Sequence, residues 1–122
     1  MGCFNVRIEV GDPQGTRFQP VEALVVDTGS THSVMPAAFL RELGVVPYGR
    51  EEFVLADDRV ANYEVGQAAV RIGDLTLTTQ VVFAENGGQA LLGAVTLEQF
   101  GLAVDTVNQQ LIRVRKLLKG LR

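Results

Sequence analysis

The sequence predicts an all-β protein folded as a single domain of 122 residues, and three observations carry that expectation. Phe4, Val6, Ile8 and Val10 alternate with Asn5, Arg7 and Glu9, the period of a strand with one buried face. Val, Leu and Thr crowd into short segments punctuated by thirteen glycines, which favours strands and turns over long helices. A unit of apolar strand, glycine-centred turn, short helix, capping glycine and apolar strand occurs twice, at residues 23–46 and 90–102. Two copies are too few for a solenoid and point instead to a pseudo-twofold internal repeat within one β-domain.

Taken in order, residues 4–10 form the first strand and residues 11–15 a turn. The chain then runs back over residues 17–26, with Pro20 marking an edge or a bulge. Pro36 suits the first position of a short helix over residues 37–43, and Gly44 suits its C-terminal cap. Residues 51–56 and 60–72 make a long hairpin whose charged tip, Asp57-Asp58-Arg59, is exposed like a lid. Gly73-Asp74 turns into a β-branched strand over residues 75–83, and residues 85–88 are a loop. Residues 90–93 read as an apolar strand stopped by glycine, followed by a helix over residues 96–100, a cap at Gly101 and a strand over residues 102–105. A last strand is expected around residues 111–114.

The chemistry is concentrated where the second strand ends. The apolar run 23–26 stops at Asp27-Thr28-Gly29-Ser30. A carboxylate at the end of a buried strand is costly unless it is paired, shifted in pKa or functional, so Asp27 is the first candidate. Asp-Thr-Gly also makes an ordinary turn or helix cap, and the tetrapeptide alone leaves both readings open. His32 is the only histidine; without a metal-ligand cluster or a hydroxyl-base pattern around it, it reads as a polar loop residue before a catalytic base. Cys3, with no basic neighbour, reads as an inert thiol.

The net charge of −3 hides an asymmetry: residues 113–122 carry five basic side chains and no acid, while residues 1–112 carry six basic against fourteen acidic. An acidic body argues against nucleic acid. The basic tail faces an acidic partner or a membrane surface, or is a solvated end; five charges in ten residues make a weak anchor and favour the last. No apolar run approaches the roughly 18 residues of a spanning helix, and the first six residues lack a signal-peptide pattern. A single cysteine suits a reducing compartment, so the expected location is cytoplasmic, and no membrane partner is expected.

The run into Asp27-Thr28-Gly29, the hairpin around residues 53–63, and Leu91-Leu92-Gly93 before a helix come in the order found in retroviral-type (retropepsin-like) aspartic proteases of the pepsin clan, which the chain resembles from about residue 4 to residue 112. The resemblance implies a closed β-barrel protomer with a flap hairpin and one or two short helices, over a domain of residues 1–112 followed by a basic strand or tail at 113–122. It implies a homodimer whose two copies of Asp27 form the catalytic pair of an aspartic endopeptidase, acting on an extended peptide with no metal and no cofactor. Thr28 and Gly29 would hold the loop across the twofold axis. Ser30, where retroviral members usually have alanine, would hydrogen-bond the carboxylate and favour its ionisation, giving an acidic optimum. Ala56, Asp57, Asp58 and Arg59 would form the substrate-covering flap tip, and Leu91, Leu92 and Gly93 would pack beneath the site.

Besides Ser30, other positions depart from the family pattern. The flap tip lacks glycine, and Thr31 and Ala94 stand where retroviral members often place an acid and an arginine that pair near the interface. Another reading of the same fold is a catalytically weak or silent dimerisation or peptide-binding module, since fold does not secure function. A third is a self-processing domain released from a larger protein.

Overall fold

The computed structural model describes residues 3–26, 31–85, 87–116 and 118–120. Among the described residues, eight strands and two short helices follow one another as β1 (Cys3–Gly11), β2 (Phe18–Val26), β3 (Ser33–Pro36), α1 (Ala37–Glu42), β4 (Pro47–Val54), β5 (Val60–Ile72), β6 (Leu75–Ala84), α2 (Ala94–Phe100), β7 (Leu102–Asp105) and β8 (Gln110–Arg113). The all-β expectation holds. Six strands form one sheet in the order β2-β1-β5-β6-β3, with β4 joined to β5, and β7 pairs with β8.

The alternation in β1 does what its period requires: Phe4, Ile8 and Val10 are buried, and Asn5 and Arg7 face out. The turn after it is organised by Asp12, whose carboxylate accepts the backbone N–H of Thr16 and Arg17 at 2.9 and 2.7 Å and the Thr16 hydroxyl at 2.8 Å. Burial pushes this carboxyl upward, but those donors outweigh it and hold its pKa below the usual carboxylate value. Pro20 is tolerated because β2 ends the strand order, opposite Glu9 of β1.

Two elements differ from expectation. Residues 33–36 form a strand, β3, which runs parallel to residues 81–84 of β6. Pro36 is therefore the last strand residue and the N-cap of α1, at φ −57° and ψ 133°, one place earlier than the first helical position. Conversely, residues 90–93 are not a strand. Leu91 alone makes bridges, one to Leu24 of β2 and one to Val34 of β3.

That single residue also bears on barrel closure. The described strands do not pair into a closed barrel, because β2 and β3 end the strand order without touching each other through a ladder. The ends are joined through residues 90–92: Leu24 N–H donates to the Ala90 carbonyl at 2.9 Å and Leu92 N–H to the Leu24 carbonyl at 3.0 Å, while Val34 and Leu91 exchange both backbone bonds at 2.8 Å. The core inside this circuit includes Val25, Met35, Leu40, Val70, Val81, Phe83 and Leu92.

Of the repeated unit, the helix with its closing glycine in the left-handed region occurs in both copies, Gly44 at φ 86° and Gly101 at φ 68°, while the first strand of the second copy is reduced to the bridges of Leu91. Only glycine enters that region without cost, which is why these positions end both helices. The tail folds back on the second helix: Val114 N–H donates to the Gly101 carbonyl at 2.9 Å, and Lys116 Nζ to the Gln99 carbonyl at 2.5 Å. A cation suits the negative end of a helix. Strand β8 runs across the boundary expected after residue 112. Among the described residues no helix is long and apolar enough to cross a membrane.

Candidate active site

Asp27, Thr28, Gly29 and Ser30 lie outside the described residues, so the site is built here from what flanks them. The chain enters through β2 and leaves through Thr31, His32 and β3. Both flanks are fastened by the same short segment. Leu24 bonds to residues 90 and 92, Val34 to Leu91, and Val95 N–H donates to the Thr31 carbonyl at 3.0 Å. Gly93 N–H donates to Ser33 Oγ at 3.0 Å.

This explains why Leu91, Leu92 and Gly93 stand where they do. Leu92 is buried in the core, Leu91 spans the two sheet edges, and Gly93 lies against the backbone that leaves the motif. A Cβ built on Gly93 would lie 2.3 Å from the carbonyl carbon of His32 and 2.7 Å from Ser33 N, so the approach needs a residue without a side chain. Thr31 and Ala94 cannot form the ion pair of the retroviral pattern. A backbone bond from the next residue, Val95, ties the two segments instead.

Sequence reading missed the polar members of this support. Ser33, Thr79 and Thr96 are all buried, from β3, β6 and α2, with Ser33 Oγ 2.6 Å from Thr96 Oγ1 and Thr96 Oγ1 2.9 Å from Thr79 Oγ1. Thr79 passed as one more β-branched strand residue, and Thr96 as part of an ordinary first helical turn. The available signal was their mutual placement, which only the fold supplies.

The hairpin expected over residues 51–72 is formed by β4 and β5. Its inner half is buried at Val65 and Ala68–Val70, whereas residues 56–60 are exposed, so the tip projects beyond the core. Ala56, Asp57, Asp58 and Arg59 occupy that tip. Asp58 N–H donates to the Leu55 carbonyl at 2.9 Å and Leu55 N–H to the Arg59 carbonyl at 2.8 Å, while Asp57 accepts the Arg59 backbone N–H at 3.1 Å and its guanidinium at 2.5 Å. The missing glycine is accounted for. Asp58 itself takes the left-handed conformation, at φ 68°, which Asp enters more readily than most residues.

His32 joins the motif's exit to the tip end of this hairpin, at the Phe53–Ala61 pair of the ladder. Its ring meets Phe53 of β4 edge-on, with centroids 5.1 Å apart at 77°, and Phe53 lies 6.3 Å from Tyr63 of β5. Thr31 Oγ1 is 3.0 Å from His32 Nδ1. Edge-to-face contacts of this kind add modestly to packing and fix ring direction. Among the described residues no group of three His, Cys, Asp or Glu side chains is placed to hold a metal ion. Cys3 is exposed and lies opposite Val26 in the β1–β2 register.

Comparison with known families finds a match over residues 17–99 to the family described as "gag-polyprotein putative aspartyl protease". That span takes in Asp27-Thr28-Gly29, the whole β4–β5 hairpin and Leu91-Leu92-Gly93. No curated protein matches the chain.

Proposed function

Because the chain belongs to the gag-polyprotein aspartyl protease family, we propose that it is an aspartic endopeptidase acting as a homodimer, with one Asp27 from each protomer. The observation that carries this reading is the family match across the motif, joined to the clamping of both flanks of that motif by residues 90–95. One chain offers one such acid, and the chemistry needs two. A twofold axis supplies the second through an isologous interface.

Two carboxylates held close share a proton, because both cannot readily ionise. The ionised one takes a proton from water as the water oxygen bonds to the scissile carbonyl carbon. The protonated one gives its proton to the carbonyl oxygen. Collapse of the tetrahedral species breaks the C–N bond as the carboxyl that took the water proton passes it to the leaving nitrogen and the other carboxylate takes a hydroxyl proton from the re-forming carbonyl group, which restores the pair. Thr28 and Gly29 keep the loop rigid in this reading, and Ser30 favours ionisation of the neighbouring carboxyl. The flap tip, residues 56–59, closes over an extended peptide whose backbone adds as a strand.

The test is cleavage of an unfolded protein substrate from about pH 3 to pH 8, comparing wild type with Asp27→Asn while mass is measured under the same conditions. Acid-favoured cleavage by a dimer, lost in Asp27→Asn with the dimer intact, supports the shared-carboxylate mechanism. A stable dimer without cleavage at any pH replaces it with the peptide-binding module.

A further inference from the structure

Three hydroxyls lie in contact inside the fold, and the mechanism above does not use them. Ser33, Thr79 and Thr96 are 0 %, 1 % and 0 % exposed. Ser33 Oγ accepts the Gly93 N–H at 3.0 Å and lies 2.6 Å from Thr96 Oγ1, which lies 2.9 Å from Thr79 Oγ1. Thr96 is the middle member, and each neighbour bonds to it. Apolar residues of the same shape could fill such a site at little cost in stability. A bonded hydroxyl chain does something more: it fixes distance and direction between three elements at once.

Those elements meet at the exit of the Asp27 motif. Ser33 opens β3, Thr96 sits in the first turn of α2, and Thr79 belongs to β6. The same place holds the Val95-to-Thr31 backbone bond and the contact of Gly93 with the His32 backbone. We infer that Ser33, Thr79 and Thr96 are positioning residues for the proposed hydrolysis: they hold residues 31–33 at a fixed distance from β6 and α2, and so set the separation of the two Asp27 carboxylates across the dimer axis. This inference rests on the endopeptidase reading.

A positioning role has a signature that mere support of the fold lacks. Mutual repulsion splits the apparent pKa values of a carboxylate pair, and the split shrinks as the carboxylates move apart. A loosened seat therefore narrows the bell-shaped dependence of kcat on pH. The experiment measures kcat, KM and that profile for Thr96→Val, Thr96→Ser and Val70→Ala, with wild type and Asp27→Asn alongside. Val70 is a buried β5 residue that makes none of the bonds above.

In Thr96→Val, kcat falls roughly tenfold, KM stays within about twofold and the bell narrows; Thr96→Ser returns all three to near wild type. Val70→Ala loses stability but keeps kcat and the width of the bell. A folded Thr96→Val with wild-type kcat and bell overturns the inference, as does a serine variant as impaired as the valine, or a Val70→Ala that narrows the bell equally. Should Thr96→Val fail to fold, Thr79→Val against Thr79→Ser removes only the terminal hydroxyl and is judged by the same criteria. Wild type without cleavage, or cleavage retained in Asp27→Asn, overturns the endopeptidase reading and this inference together. Asp27-dependent cleavage with an unaffected Thr96→Val overturns this inference alone.

Discussion

Gly93→Ala is the substitution for which the structure makes the sharpest demand. The new Cβ would stand 2.3 Å from the His32 carbonyl carbon, 2.5 Å from its oxygen and 2.7 Å from Ser33 N. All three are backbone atoms, so no side chain can rotate away. Ordinary carbon contacts need about 3.5 Å, so the start of α2 and residues 32–33 must separate by roughly 1 Å. That movement breaks the Gly93-to-Ser33 bond and strains the Val95-to-Thr31 bond, at about 1 kcal/mol each, and overpacking adds about 1–3 kcal/mol. The sum is roughly 3–5 kcal/mol, against a total stability of about 5–15 kcal/mol for an ordinary domain. In urea denaturation followed by circular dichroism this lowers the midpoint by at least about 1 M with the slope unchanged. Gly49→Ala is the matched control, since a Cβ there meets nothing within 4 Å. It is neutral or stabilising by up to about 1 kcal/mol, because glycine weakens a strand interior. A Gly93→Ala midpoint within about 0.3 M of wild type would refute the close seating of α2 on the motif's exit.

Two further outcomes follow from features away from that contact. Asp58→Gly relieves the left-handed strain at φ 68° on the hairpin tip and raises stability by roughly 0.5–1 kcal/mol, read as a higher denaturation midpoint; an unchanged or lowered midpoint counts against that strain. Asp12 has a folded-state pKa below its ordinary value of 3.8, so its contribution to stability is present above about that pH and is lost as the pH falls through the lowered value. Asp105 adds in the same direction, through bonds from the Asn108 side chain and backbone, with burial opposing and Gln110 and Val107 reinforcing them. Thermal melts of wild type therefore decline below about pH 4, and Asp12→Asn flattens that decline while lowering the plateau above it; parallel profiles for the two proteins would contradict this.

What the sequence made legible was whatever depends on neighbours in the chain. The alternation of β1, the β-branched run of β6, the Gly73 turn and the glycines after both helices are local signals, and each led to the element found. Strand β3 was not legible, because four residues ending in proline carry no period and its identity depends on pairing with residues 81–84. Residues 90–93 looked like a strand for the opposite reason. They are apolar because Leu92 is core and Leu91 spans two edges, yet only Leu91 has strand partners. The motif was recognisable as a string, but the hydroxyls beneath its exit were not, since Ser33, Thr79 and Thr96 come together only in three dimensions. The same holds for His32 and Phe53, whose ring contact joins the motif's exit to the β4–β5 hairpin.

Joining the two sheet edges through Leu91 also imposes an order of assembly. The β1–β2, β4–β5 and β5–β6 hairpins link neighbours in sequence and close quickly, whereas Leu24 and Val34 have to wait for a partner that comes only at residue 91. During synthesis the β4–β5 hairpin is therefore complete while the strands flanking residues 27–30 still lack their partner at residue 91. Those strands gain their fastenings only once residues 90–96 have left the ribosome and packed. Whatever chemistry the motif between them performs therefore waits on residues 90–96.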